Sequence, residues 1–207
     1  RSQPRSRGLG DVYKRQAFCR TGSLFVSGQH DIRPTFLCLS KGITSGYLPL
    51  AVTLTTEEIY SAFYDDYHNW KMFIHSHSYS ANPLACSVAN ETLAIICQND
   101  FMAMLTPKIN LMKELGQQIA KDSKWCGEFR QQGMIAALEL VKSNDDKQPF
   151  PIENRVGYKV YLEALKRGVF LRPLGDVIYF IPPLVINEDE ITTMMNTARE
   201  CMAVVLD

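Results

Sequence analysis

The spacing of hydrophobic positions changes several times along this chain, and each change marks an element. Short apolar runs come first, at residues 23–27 (SLFVS), 35–39 (TFLCL) and 50–54 (LAVTL). They are rich in β-branched and aromatic residues and separated by Gly, Pro and Ser, so they predict three strands. Thr55, with Glu58 three residues on, has the form of a capping box and predicts a helix to about Phe63. Residues 65–77 mix aromatic and polar side chains without a period and read as a loop. Asn82-Pro83 opens a helix over 83–96 with proline in its first turn. That helix is apolar on nearly every side and is therefore expected to be buried. Residues 101–122 predict a second long helix, amphipathic and ending in lysines.

At Gly133 the pattern switches to MIAALELV, a continuous apolar run that predicts a strand over 134–141. A polar linker over 143–151 leads to a helix over 153–167, with Gly168 as its stop. VFLR (169–172) and VIYFI (177–181) predict two strands around a turn at 173–176. Asn187 with Glu190 forms a second capping box, opening a final helix to about Val204. The order β-β-β-α-α-α, then β-α-β-β-α, predicts an α/β region over 17–127 and a small α+β domain over 128–207. Residues 1–16 are Arg-rich and aperiodic; they are expected to be foreign or disordered, with authentic chain beginning near Ala17.

Composition narrows the function classes. The formal net charge is zero and no Lys/Arg stripe runs along the predicted domains, which argues against a nucleic-acid partner. No apolar run reaches the length of a membrane span. The six cysteines form no C-x-x-C pair and no Cys/His cluster has ligand spacing, so free thiols in a reducing, cytoplasmic setting are expected and a metal is not. No Gly-rich loop joins a strand to a helix, as a nucleotide-binding module would require.

Candidate chemistry concentrates in a few places. Lys41 stands at the end of a short apolar strand and is followed by the small residues Gly42, Ser45 and Gly46. A lysine so placed can enter a cleft beside a flat ring and form a Schiff base with an aldehyde. The plain alternative is a solvated loop lysine. Residues 75–80, HSHSYS, put hydroxyls just ahead of a helix N-terminus, which suits a phosphate or, equally, a simple cap. Arg172, in LRPLG, is read as the end of a strand; it is a fork for a carboxylate or half of a surface ion pair. Arg20-Thr21-Gly22 by itself points to nothing specific.

Together these stretches resemble a known family. FCRTG (18–22), CLSKGITSGYLPLAVTLTT (38–56), FIHSHSYSANPLAC (73–86) and FLRPLGDVIYFIPPLVI (170–186) are similar, in order and spacing, to class III pyridoxal-phosphate aminotransferases. The 75–86 and 171–183 stretches resemble more narrowly the biotin-pathway branch, which uses S-adenosylmethionine to aminate 8-amino-7-oxononanoate. The resemblance implies fold type I: the C-terminal part of a large α/β domain plus a small C-terminal α+β domain. It implies pyridoxal 5'-phosphate as cofactor, small-molecule substrates and a homodimer, with this chain a C-terminal piece of doubtful activity. Lys41 would hold the cofactor and move the substrate proton. His77 and Ser78 would contact the cofactor, Ser78 through the phosphate bound in the partner subunit. Ser76, Arg172 and Tyr179 would contact substrate, Arg172 pairing with its carboxylate. One departure stands out. The family's acidic partner for the pyridine nitrogen would fall at Val12, with Asp11 one place off. Another class III ω-aminotransferase and a non-catalytic fragment are the alternatives.

Overall fold

The computed structural model describes residues 12–13, 18–98 and 100–207. They divide into two compact units: the described residues up to Cys19 with Ser23–Phe101, and Arg20–Gly22 with Met102–Asp207.

In the first unit, β1 (Val12–Tyr13), β2 (Phe36–Ser40) and β3 (Ala51–Thr55) form one sheet in that order. β1 runs parallel to β2, with Val12 opposite Phe36, and β3 runs antiparallel to it. The stretch expected to be foreign or disordered thus contributes Val12 and Tyr13 to the sheet. Its other residues, Asp11 among them, and Ala17 lie outside the described residues. The strand expected over 23–27 is not formed. Val26–His30 is instead a 3-10 turn, and Phe25 packs edge-on against Phe18 at 5.4 Å. The apolar run there marks Leu24 and Phe25 packed against the core, not a strand.

Helix α1 (Glu57–Ser61) starts one residue later than the expected capping box. The Thr55 hydroxyl is committed elsewhere, donating to the Thr35 carbonyl across the sheet at 3.1 Å. Helix α2 (Pro83–Ile96) has the predicted bounds, and the Asn82 side chain accepts from Leu84 N–H at 3.0 Å. The expectation of all-round burial is corrected. Only Ala85, Ala89 and Thr92 are buried, while Leu84 is 70% exposed. The core of this unit, Phe18, Leu39, Ile43 and Ala89, offers α2 one apolar surface and so covers one stripe.

The second unit is an antiparallel sheet with strand order β4 (Cys126–Gln132), β5 (Ile135–Leu140), β7 (Val177–Phe180), β6 (Arg172–Leu174). Phe129, Leu138, Ile178 and Pro173 form a row straight across it, on one face. Helices cover that face. α3 (Phe101–Asp122) approaches so closely that a Cβ on Gly116 would lie 2.1 Å from the Phe129 ring. This contact places most of α3 with the second unit, although its sequence position groups it with 17–127. α4 (Val156–Lys166) and α5 (Glu188–Leu206) bury Val156, Val160 and Ala164, and Ile191, Met195 and Ala198, at helical spacing. The α5 capping box is present as predicted, Asn187 and Glu190 exchanging hydrogen bonds of 2.8 and 2.9 Å.

Three details differ from expectation. β4 was not anticipated, because its outward side chains are Glu128, Arg130 and Gln132 and too few apolar positions remain to show a strand period. α4 begins three residues after 153, because Arg155 adopts a left-handed backbone (φ 46°). Arg172 begins a strand instead of ending one; Pro173 is tolerated because β6 is the edge.

Candidate active site

β2 ends at Ser40, and Lys41 opens a 3-10 turn over Lys41–Thr44. Lys41 itself is left-handed (φ 56°), as are Ser45 (φ 51°) and Gly46 (φ 84°). For a residue with a Cβ this backbone costs roughly 1–2 kcal/mol. The turn persists because its surroundings hold it. Ile43 is in the core with Phe18, Leu39 and Ala89. Thr44 is fully buried, and its hydroxyl donates to the Leu48 carbonyl at 2.5 Å. Gly46 N–H closes back on the Lys41 carbonyl at 3.3 Å. Ser45 Oγ meets Thr92 Oγ1 of α2 at 3.2 Å. Lys41 is exposed, and among the described residues its amine has no carboxylate in ion-pair range. A strained, anchored backbone therefore presents a free primary amine.

Ser76, His77 and Ser78 are exposed in the turn that enters α2. His77 N–H donates to Ser80 Oγ, and His77 Nδ1 accepts from Tyr79 N–H, each at 3.1 Å. These bonds tie the segment to itself and leave the Ser76 and Ser78 hydroxyls outward. The Lys41 turn meets α2 at Thr92, ten residues beyond the Asn82 cap. At 1.5 Å rise per residue Asn82 and Thr92 are about 15 Å apart along the helix.

In the second unit Arg172 and Tyr179 are opposite each other in the β6–β7 register. They share a row with Ala137 and Arg130, one residue out of phase with the helix-covered row, so they face away from the helices. The Arg172 guanidinium lies 5.6 Å from the centre of the Tyr179 ring. No described carboxylate pairs with it, which sets aside the surface ion pair. Arg130, further along the row, is engaged by Glu128 and Glu139. An open depression of about 580 Å³ adjoins Arg172 and Tyr179, walled by Phe170, Ile181, Pro183 and Met194. The Arg20 motif is structural here. Arg20 carbonyl accepts from Met134 N–H at 2.7 Å, its half-buried guanidinium donates to the Pro182 carbonyl, and desolvation lowers its pKa. Gly133, at φ +59°, has no room for a Cβ beside Thr21.

Sequence reasoning missed Thr44 and Thr92. For Thr92 the available signal was a lone hydroxyl on the buried stripe of an apolar helix. Among the described residues no three His, Cys, Asp or Glu gather as a metal cluster, and no helix is long and apolar enough to cross a membrane.

The chain belongs to the class III aminotransferase family, whose sequence pattern matches residues 16–202. It is 46% identical over 182 residues to adenosylmethionine-8-amino-7-oxononanoate aminotransferase of Aquifex aeolicus, covering 88% of this chain and 40% of that one. With the enzyme of the same name from Geobacter sulfurreducens it is 45% identical over 179 residues, covering 86% and 39%. The crystal structure of the Methanocaldococcus jannaschii protein of that name superposes with a TM-score of 0.83 at 37% identity, over 91% of this chain and 44% of the other. The chain thus spans about 40% of the length of these relatives, and its fold is fold type I.

Class III aminotransferases depend on pyridoxal phosphate. The donor set here fits that group: an unpaired amine for its aldehyde, and outward hydroxyls at a helix N-terminus for its phosphate. Val12, at the position counted for the family's acid, is the first residue of β1 and supplies no carboxylate.

Proposed function

We propose that the protein carrying this chain is a pyridoxal-phosphate-dependent aminotransferase that moves the amino group of S-adenosylmethionine to 8-amino-7-oxononanoate, giving 7,8-diaminononanoate for biotin synthesis. The unpaired Lys41 amine on its anchored turn carries this reading. Pyridoxal phosphate, when bound, supplies an electron sink that weakens the bond to the substrate's α-hydrogen. Lys41 Nζ would hold the cofactor and carry one proton in each half of the reaction, off the α-carbon of the amino donor in the first and onto the former keto carbon of the oxononanoate in the second. Arg172 presents two parallel N–H donors to the oxononanoate carboxylate, above the Tyr179 ring. Ser76 contacts substrate.

His77 and Ser78 belong, in this reading, to the site of a second subunit. Their place in the turn that enters α2, at the opposite end of that helix from the point where the Lys41 turn meets it at Thr92, supports it. A homodimer follows, and the exposed aromatic residues Tyr64, Tyr67, Trp70 and Phe73 and the uncovered flank of α2 supply apolar surface for a second copy. We place the protein in the cytoplasm, acting on small molecules without nucleic acid or membrane.

The test uses the full-length protein. Mixing it with pyridoxal phosphate and reducing with borohydride should label Lys41, located by peptide mass spectrometry, and Lys41→Ala should abolish label and turnover. S-adenosylmethionine should discharge its amino group to the loaded protein in a single turnover. Labelling elsewhere removes the catalytic assignment, and refusal of S-adenosylmethionine removes the donor.

A further inference from the structure

The Lys41 turn is joined to α2 by one side-chain hydrogen bond, and the direction of that bond can be assigned. Thr92 Oγ1 donates to the Val88 carbonyl one turn back at 2.9 Å. A hydroxyl has one proton, so Thr92 has none left for Ser45. The Ser45–Thr92 bond at 3.2 Å is therefore Ser45 Oγ–H donating to Thr92 Oγ1. Thr92 is 5% exposed, while Ser45 lies on the exposed side of the bond. Ser45 adopts a left-handed backbone that favours glycine, and it nevertheless carries a hydroxyl. The hydroxyl offsets a backbone strain that glycine would avoid.

We infer that Ser45 and Thr92 are positioning residues that hold Lys41 in register with its cofactor. The inference rests on the reading of Lys41 as the cofactor lysine. Ser45 N–H and Gly46 N–H both bond the turn that starts at Lys41, so movement at Ser45 passes directly to the lysine backbone. Ile43 and Thr44 pin the turn's centre from the core side, and the Ser45–Thr92 bond pins its far end. Without that bond the amine samples more orientations, and fewer of them point along the line of attack.

The test measures covalent capture of pyridoxal phosphate by the full-length apoprotein, read as the rate of borohydride-fixed label on Lys41, with turnover as a second readout. Thr92→Val keeps shape and removes the acceptor; the capture rate should fall about three- to tenfold, the range one neutral hydrogen bond supplies. Thr92→Ser retains the acceptor and should restore most of it. Ser45→Ala keeps the strain and loses the bond, and should capture more slowly than Ser45→Gly, which loses both. kcat should follow capture while the KM values for both substrates hold. Wild-type capture by Thr92→Val at unchanged Tm overturns the positioning role alone. A capture defect that Thr92→Ser does not repair overturns it too, since packing and not the hydroxyl is then responsible. Label that survives Lys41→Ala overturns the underlying reading instead.

Discussion

Arg172 and Tyr179 occupy paired positions on the helix-free face of the second sheet, and their chemistry comes from that placement. In the proposed reading, a guanidinium 5.6 Å from an aromatic ring, with no described carboxylate in ion-pair range, is free to take a ligand's acid group. Arg172→Ala should raise KM for the keto acid about 10- to 100-fold and leave the S-adenosylmethionine half-reaction near wild type, as separate half-reaction kinetics would show. Asp65 gives a second residue-scale test. Lys71 above all, then the Asn69 side chain and Asp66 N–H, hold its carboxyl down at about 2. A depressed carboxylate stabilises the fold above its unfolded pKa and loses that contribution as pH falls through the folded value. The 65–71 loop should therefore keep its bridge at pH 4 and release it near pH 2, followed by the Asp65 carboxyl resonance in NMR. A midpoint near the ordinary value means the bridge does not persist in solution. Cys126 and Cys97 contrast in the same way. Burial pushes Cys126 up to about 11, while Cys97 is exposed, so a thiol reagent at pH 8 should modify Cys97 and spare Cys126 in the native state.

At the scale of elements, close approach and capping decide stability. α3 lies on β4 only because Gly116 has no side chain at the Phe129 ring. Gly116→Val should overpack that contact and lower stability by about 1–3 kcal/mol in urea unfolding, and Phe129→Ala in the same background should recover part of it. The α5 capping box was readable because it is local: Asn187 and Glu190 find each other within one turn. Asn187→Ala should cost about 1 kcal/mol. Thr55 and Glu58 have the same spacing and form no box, since the Thr55 hydroxyl is held by Thr35 across the sheet. A local motif fails when a long-range partner takes its hydroxyl.

At the scale of the molecule, the proposed reading makes the site a shared one, with Lys41 and Ser78 of one subunit serving different sites of a dimer. Lys41→Ala and Ser78→Asp, each alone, should be inactive, the second because a carboxylate repels the phosphate. Mixed dimers should regain activity, because one of their two sites draws Lys41 from one subunit and Ser78 from the other. Failure of well-folded mixed dimers to recover turnover would place both residues in one subunit's site.

The Lys41 motif, the bounds of α2 and the α5 cap were legible in the residues alone, because each depends on neighbours within about one helical turn. The strand β4, the edge position that admits Pro173, the 3-10 turn at Val26–His30 and the single covered stripe of α2 emerged only from the folded chain. Those features depend on which distant backbone supplies a hydrogen bond and which face meets another apolar surface. Ser45 and Thr92 belong with them: 47 positions apart in sequence, they become partners only when β2 delivers its turn to the side of α2.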